Sequence, residues 1–405
     1  MPHTLTAKLG QVSIYQRLAD VPDVRDALFA AARSARGLSD APTSAMSHSW
    51  LFTGPPGSGR SHVALAFAAL LMCDGDELGC GKCANCRAVL EARSHTDLVF
   101  IQPQELSITV DTAREVIRRA ATYPTVAPWR VVIFDNADRM VDSASNALLK
   151  TVEEPPERTV IIMCAPSADP EDFSQTLRSR CRHLYIPSPS VEEIVRILVA
   201  EGASEDHARL AAQASMRNVG RARHLVFNAD SQKLRAMSVN LAEDVFQGSG
   251  GFHAVSNLLK AVTKLAKDGF KEQDEDEVER LRQSWGAGGK GKGAGKATQG
   301  MEAAVKELQK TQKKRETRRL RDLLDLALVD LAGIYRDALL AGTDIAPTHP
   351  DFAGLAQELA GRMGDAQLVA AQEAIKTCRE HISYSVAPQI AFDGMVGRLR
   401  QLSAG

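Results

Sequence analysis

The chain has 405 residues, 44% of them hydrophobic and 5% aromatic, and a formal net charge of −1. That length allows two to four domains of roughly 100–200 residues each, and the alanine- and leucine-rich, aromatic-poor composition points to mostly helical structure. A charge so near zero excludes a global pull toward nucleic acid or membrane and leaves only local patches for either. With no signal peptide and no apolar run near 18 residues, the expectation is a soluble cytoplasmic chain.

The first 50 residues carry helical patterning at Val12, Ile14 and Leu18, then at Val24, Leu28 and Ala31, and a polar loop from Ser39 to Ser47. Trp50 to Thr53 reads as a short apolar strand and His62 to Ala68 as a buried helix. Between them, Gly54-Pro55-Pro56-Gly57-Ser58-Gly59-Arg60-Ser61 fits G-x-x-x-x-G-K-[ST] everywhere except at the lysine, where Arg60 stands. A glycine-rich turn between strand and helix presents backbone N–H groups and a helix N-terminus to phosphate oxygens. Gly54, Pro55, Gly57, Ser58, Gly59, Arg60 and Ser61 are therefore the candidate nucleotide-binding residues. Ser61 would hold the Mg²⁺ of a nucleotide, and Arg60 takes the position that reaches the β- and γ-phosphates.

Of seven cysteines, four follow closely as C-x6-C-x2-C-x2-C: Cys73, Cys80, Cys83 and Cys86. Four thiolates suit tetrahedral Zn²⁺, and Gly81 suits the tight turn of a C-x2-C knuckle. No open coordination position is implied, so the site would be structural. Cys164 ends an apolar run and reads as a small core residue.

Further apolar runs at 97–101, 130–134, 160–164 and 183–186 are separated by helical stretches, which predicts a parallel sheet buried on both faces. Asp135 ends the second of these runs, where a carboxylate would hold Mg²⁺ through water. The next residue, a glutamate in working ATPases of this type, is Asn136. An amide orients a water but cannot take its proton, so a general-base contribution of about 10²–10⁴-fold is absent. Asp138 is an alternative base of undefined direction. Arg60 adds a planar fork in place of a compact ammonium. Nucleotide binding, as ATP or ADP with Mg²⁺, stays compatible with these residues; hydrolysis is not expected.

Pro187 and Pro189 close the α/β region. Residues from about 190 to 240 are helical, and a third helical region starts near 246. It is interrupted by Asp274 to Glu277 and then by a stretch, about 284–300, too rich in glycine and lysine to bury a core, which is expected to be a flexible insertion. A charged helix from Glu302 to Leu340 carries Lys313, Lys314, Arg315, Arg318 and Arg319. It reads either as a solvated face or, more sharply, as a nucleic-acid contact.

The segment Ser145-Asn146-Ala147-Leu148-Leu149-Lys150-Thr151-Val152-Glu153-Glu154-Pro155-Pro156, with Thr176-Leu177-Arg178-Ser179-Arg180-Cys181, the loop and the cysteine cluster, resembles the AAA+ clamp-loader subunits of bacterial DNA polymerase III. The likeness is strong over roughly residues 10–225 and lies nearer the delta-prime branch than the gamma/tau motors. It implies an α/β AAA+ module, a RecA-like parallel sheet with an embedded zinc module, plus a helical lid and an all-α C-terminal collar. The implied domains are 1–186, with zinc at 73–86, 187–245, and 246–405.

The resemblance also implies roles. Cys73, Cys80, Cys83 and Cys86 match the family's zinc module. Arg180 matches an arginine supplied in trans to ATP on a neighbouring subunit, with an intramolecular salt bridge as its alternative. Ser167 lies near the sensor-1 position. Arg221 in Gly220-Arg221-Ala222 matches sensor 2, facing a bound phosphate; its alternative is a surface helix arginine. Implied partners are gamma/tau and delta subunits in a hetero-pentamer, the sliding clamp, and primer–template DNA, which Lys150 could touch, all at the replisome. Two other readings compete: an active gamma/tau-type ATPase, and a zinc-bearing DNA-binding module with a vestigial nucleotide fold.

Overall fold

The computed structural model describes residues 12–38, 42–103, 107–246, 249–285, 294–384 and 386–403. The chain divides into two compact units. One runs to Gly202 and includes Arg217–Gly220; the other comprises Ala203–Met216 and the chain from Arg221 on.

The first unit opens with helices α1 (Ile14–Arg17) and α2 (Pro22–Ala35) and then builds five strands: β1 (Ser49–Thr53), β2 (Leu98–Ile101), β3 (Arg130–Phe134), β4 (Thr159–Ala165) and β5 (Arg182–Tyr185). All pairings are parallel, in the order β2-β3-β4-β1-β5. Every residue of β1, β3 and β4 is buried, as expected for strands covered on both faces. The edge strand β5 instead alternates buried-side and exposed residues. Successive side chains leave opposite faces, so Trp50, Phe52, Val131, Ile133, Val160 and Ile162 join one core while Leu51, Val132, Phe134, Ile161 and Met163 join the other.

Helix α3 (Arg60–Met72) belongs to the first of these cores. It is apolar all round and buried from Val63 to Met72, with Phe67 edge-on to Trp50 at 5.1 Å. The remaining helices of this unit are α4 (Ala84–Arg87), α5 (Val110–Ala120), α6 (Asp142–Glu153), α7 (Gln175–Arg178) and α8 (Val191–Ala200).

One buried carboxylate fixes the approach to β3. Asp97 accepts the N–H groups of Thr125 (2.8 Å), Val126 (2.8 Å) and Ala127 (2.9 Å) and pairs with Arg130 at 3.0 Å. Burial alone would raise its pKa, but these donors outweigh it and hold the carboxyl well below the usual range.

The second unit is helical in its described residues: α9 (Glu205–Ala214), α10 (Val219–Phe227, whose first two residues belong to the first unit), α11 (Ala229–Asp244), α12 (Gly250–Asp268), α13 (Lys271–Ser284), α14 (Ala294–Leu339), α15 (Ala353–Arg362), α16 (Asp365–Ser383) and α17 (Pro388–Ser403). The long α14 packs against α11, α12, α15 and α16 around one apolar core. A parallel sheet flanked by helices, followed by an all-helical C-terminal region, is the fold class expected from the sequence. Residues 286–293 of the Gly/Lys stretch lie outside the described residues. Helices run into both of its ends, to Ser284 and from Ala294.

The charge run on α14 is spent locally. Lys310 pairs with Glu307 and Lys313 with Glu316. Arg315 turns to α13, donating to Glu277 at 2.8 and 3.0 Å and to Asp274, with its guanidinium 4.9 Å from the Phe270 ring centre. Arg315 holds the Glu277 carboxyl down at about 2, against an ordinary value of 4.5. A depressed folded-state pKa stabilises above the ordinary value and is lost as pH falls through the folded one. Amide protection factors in α13 should therefore drop as pH is lowered from about 4.5 to about 2. Glu277→Gln should weaken protection at neutral pH and remove that share of the acid sensitivity, read by hydrogen exchange.

Candidate functional site

The phosphate-type loop leaves the carboxyl end of β1 and closes on α3, whose N-cap is Gly59. The Pro55 carbonyl accepts the Ser58 N–H at 3.0 Å. Gly57 has φ +88°, and a Cβ there would lie 2.3 Å from the side chain of Asn218, so the loop needs glycine twice over at this point. Asn218 escaped the sequence reading because nothing local ties it to the loop.

Although β4 lies between β1 and β3, Ser61 Oγ donates to Asp135 Oδ1 at 2.5 Å. The loop and the strand-end carboxylate predicted separately are thus one site. Around it, Ser58 Oγ, Arg60 Nη1 and Asp138 Oδ1 are buried without a hydrogen-bond partner among the described residues. Burial lowers the pKa of Arg60, and Cys164, Asp138, Asp135 and Asp172 oppose that shift. Burial likewise raises that of Asp138, against the charges of Arg139 and Arg60. Unsatisfied buried donors beside a helix N-terminus fit an anion.

Asn136 sits at φ +53°, before the 3-10 turn Ala137–Arg139. Asparagine visits this left-handed region more readily than longer side chains do. The residue that removes the general base is also the residue the backbone favours.

Arg180 stands elsewhere. Strand β5 pairs with β1 in parallel, Arg182 opposite Trp50 and Tyr185 opposite Thr53. Arg180 precedes β5 and so lies past the amino-terminal edge of the sheet, whereas the loop leaves the carboxyl edge. The five residues of β1 set those edges about 16 Å apart at ~3.3 Å per residue. The Arg180 guanidinium donates through Nε to Glu153 and through Nη1 to the Thr176 carbonyl (2.8 Å) and the Ser179 hydroxyl (3.2 Å). Glu153 was not singled out from the sequence, since it is 27 residues away.

The four cysteines converge: the sulfur atoms of Cys73, Cys80, Cys83 and Cys86 all lie within 4.8 Å of one another. Tetrahedral Zn–S bonds of about 2.3 Å place sulfurs about 3.8 Å apart, so the set needs little contraction to hold the ion. The Cys83 N–H points at Cys80 Sγ (3.3 Å) and the Cys86 N–H at Cys83 Sγ (3.4 Å), the backbone wrap of a knuckle. Gly81, at φ +73°, lets the turn pass the Val12 carbonyl, which a Cβ would approach to 2.2 Å. A hydrogen bond from Cys86 pulls the Cys73 thiol down, and the same bond pushes Cys86 up.

Three other residues have local commitments or none. Ser167 Oγ donates to Asp172 at 2.7 Å and accepts from the Asp169 N–H at 3.0 Å. Arg221 belongs to the second unit, where it is buried against Asp330, whose carboxyl burial pushes up to about 6. Lys150 is exposed on α6.

Residues 38–190 match the family model described as DNA polymerase III, delta subunit. The loop, the cysteine cluster, Asp135 and Arg180 all fall inside that range. Over 206 residues the chain is 30% identical to DNA polymerase III subunit delta' of Bacillus subtilis, covering 51% of this chain and 61% of that one. Over 146 residues it is 35% identical to subunit delta' of Yersinia pestis, covering 35% and 42%. This segment is similar to the delta-prime subunits of DNA polymerase III. The kinship extends to the tau subunit of B. subtilis, 27% identical over 246 residues, 58% of this chain and 41% of that one. The chain spans about half the length of the delta-prime relatives it matches.

Asn136→Glu should cost about 1 kcal/mol by urea unfolding, because glutamate is less at ease in the left-handed region. Asn136→Gly should be near neutral.

Proposed function

We propose that the chain is a delta-prime-type subunit of the DNA polymerase III clamp loader that hydrolyses no ATP itself. It supplies Arg180 in trans to ATP on an adjacent gamma/tau subunit and helps open the sliding clamp and place it on primed DNA. The supporting observation is the position of Arg180 on the opposite edge of the sheet from its own phosphate loop. A guanidinium there serves a phosphate brought by another molecule far more easily than one in Gly54–Ser61. Such a finger stabilises charge that develops as the γ-phosphoryl group transfers.

The chain's own loop keeps what binds and lacks what hydrolyses. Backbone N–H groups, Ser58 and Arg60 would hold the phosphates, and Ser61 with Asp135 would hold Mg²⁺, which neutralises phosphate charge when bound. Asn136 supplies no base. The remainder of the assignment follows the family: residues 187–245 as a lid, 246–405 as a collar that joins gamma/tau and delta partners in a ring, and cytoplasmic work at the replisome.

Two experiments test this. In a complex reconstituted with gamma/tau and delta, Arg180→Ala should leave assembly intact by gel filtration and lower ATP turnover at the site it serves by about 10³-fold or more; normal turnover overturns the trans role. Elemental analysis should find one zinc per chain, bound by Cys73, Cys80, Cys83 and Cys86. Chelation should speed hydrogen exchange over residues 73–86, and a zinc-free chain with unchanged exchange would remove the metal assignment.

A further inference from the structure

We propose that Glu153 is the positioning residue of the arginine finger: its carboxylate grips Arg180 by Nε and so aims the free edge of the guanidinium outward. The proposal rests on the trans role of Arg180 given above. Glu153 is the last residue of α6, and the neighbouring Val152 carbonyl accepts a hydrogen bond from Ser49 Oγ (3.0 Å) at the start of β1. The carboxylate is therefore carried by a helix end fastened to the sheet, on the same amino-terminal edge as Arg180.

The guanidinium is divided among its partners. Nε goes to Glu153, Nη1 to the Thr176 carbonyl and the Ser179 hydroxyl, and Nη2 has no partner among the described residues. A planar fork fixed on two sides has its third direction set. Nη2 is the donor left to an anion from another molecule.

The acid is also poorly placed for any purpose internal to its helix. A carboxylate in the last turn faces the negative end of the helix dipole, which disfavours it. Nor is the pair built for stability: the side chains are 33% and 45% exposed, and such pairs add little. What it provides is orientation, which matters because small misplacements of a reacting group are costly.

The full-length chain, reconstituted with gamma/tau and delta, provides the test through ATP turnover on primed DNA. Glu153→Ala should lower kcat between about 5- and 100-fold, with KM and assembly unchanged. Glu153→Gln, whose amide oxygen still accepts from Nε, should restore most of it. Adding Glu153→Ala to Arg180→Ala should lower turnover no further. If Arg180→Ala is slow but Glu153→Ala keeps full kcat, or if the two losses multiply, Glu153 does not act through Arg180; the proposal then fails while the finger stands. If Arg180→Ala itself turns over normally, the finger assignment fails and takes this proposal with it.

Discussion

The two-sided pairing of β1 is the constraint on which the rest depends. With β4 on one side and β5 on the other, and every residue buried, β1 can neither slide nor tilt without moving the whole sheet. A one-residue slip would exchange its two buried faces. Because all strands are parallel, this also sorts the chemistry by edge. The carboxyl edge receives the Gly54–Ser61 loop and Asp135; the amino edge receives the end of α6, Glu153 and Arg180. Burial of α3 carries the consequence further. Its first residue, Arg60, is drawn toward the interior with the helix, and so its guanidinium is desolvated rather than splayed into water.

Ionic contacts in this molecule fall into two physical kinds. Asp97 with Arg130, and Arg235 with His349, are buried and multiply bonded, Arg235 reaching also to the part-exposed Asp351, and each pins a loop to a neighbouring element. Removing one partner of such a group leaves an uncompensated charge, so these contacts tolerate little motion. Arg180 and Glu153 are half exposed, and solvent can replace either partner at small cost. That contrast suits their proposed tasks, since an arginine that must meet a ligand on another molecule cannot be sealed in a buried pair.

What the sequence revealed and what it hid follow from the range of the interactions. The central strands were legible because burial on both faces writes a continuous apolar run; β5, at an edge, alternates half-buried and exposed residues, yet the run at 183–186 still marked it to within one residue. The phosphate loop and the cysteine knuckles are encoded within a few residues each, so spacing alone revealed them. The Ser61–Asp135 bond spans 74 positions and the Arg180–Glu153 pair 27, and neither leaves a local trace. The same holds for Arg315, whose partners on α13 lie about forty positions back, so its run of charge read from sequence as a choice between solvent and nucleic acid. Arg221 carried a family role in its motif, but its partner Asp330 is 109 positions away.

Asn136 and Arg60 both depart from a working ATPase, and local physics accounts for each in its own way. At φ +53° the backbone selects asparagine over a longer acid. Arg60 keeps a positive charge beside Asp135 and Asp138, where together with Arg139 it opposes the cost of burying the Asp138 carboxylate. Holding a phosphate and activating a water are separate demands met by separate atoms: backbone N–H groups, Ser61 and Asp135 for the first, a base after β3 for the second. A site can therefore lose the second without losing its shape, because nothing in the loop's own geometry depends on a proton acceptor at residue 136. The sheet then leaves Arg180 on its far edge, its Nη2 without a partner among the described residues, and under the proposed function that is where the chain's contribution to hydrolysis is made.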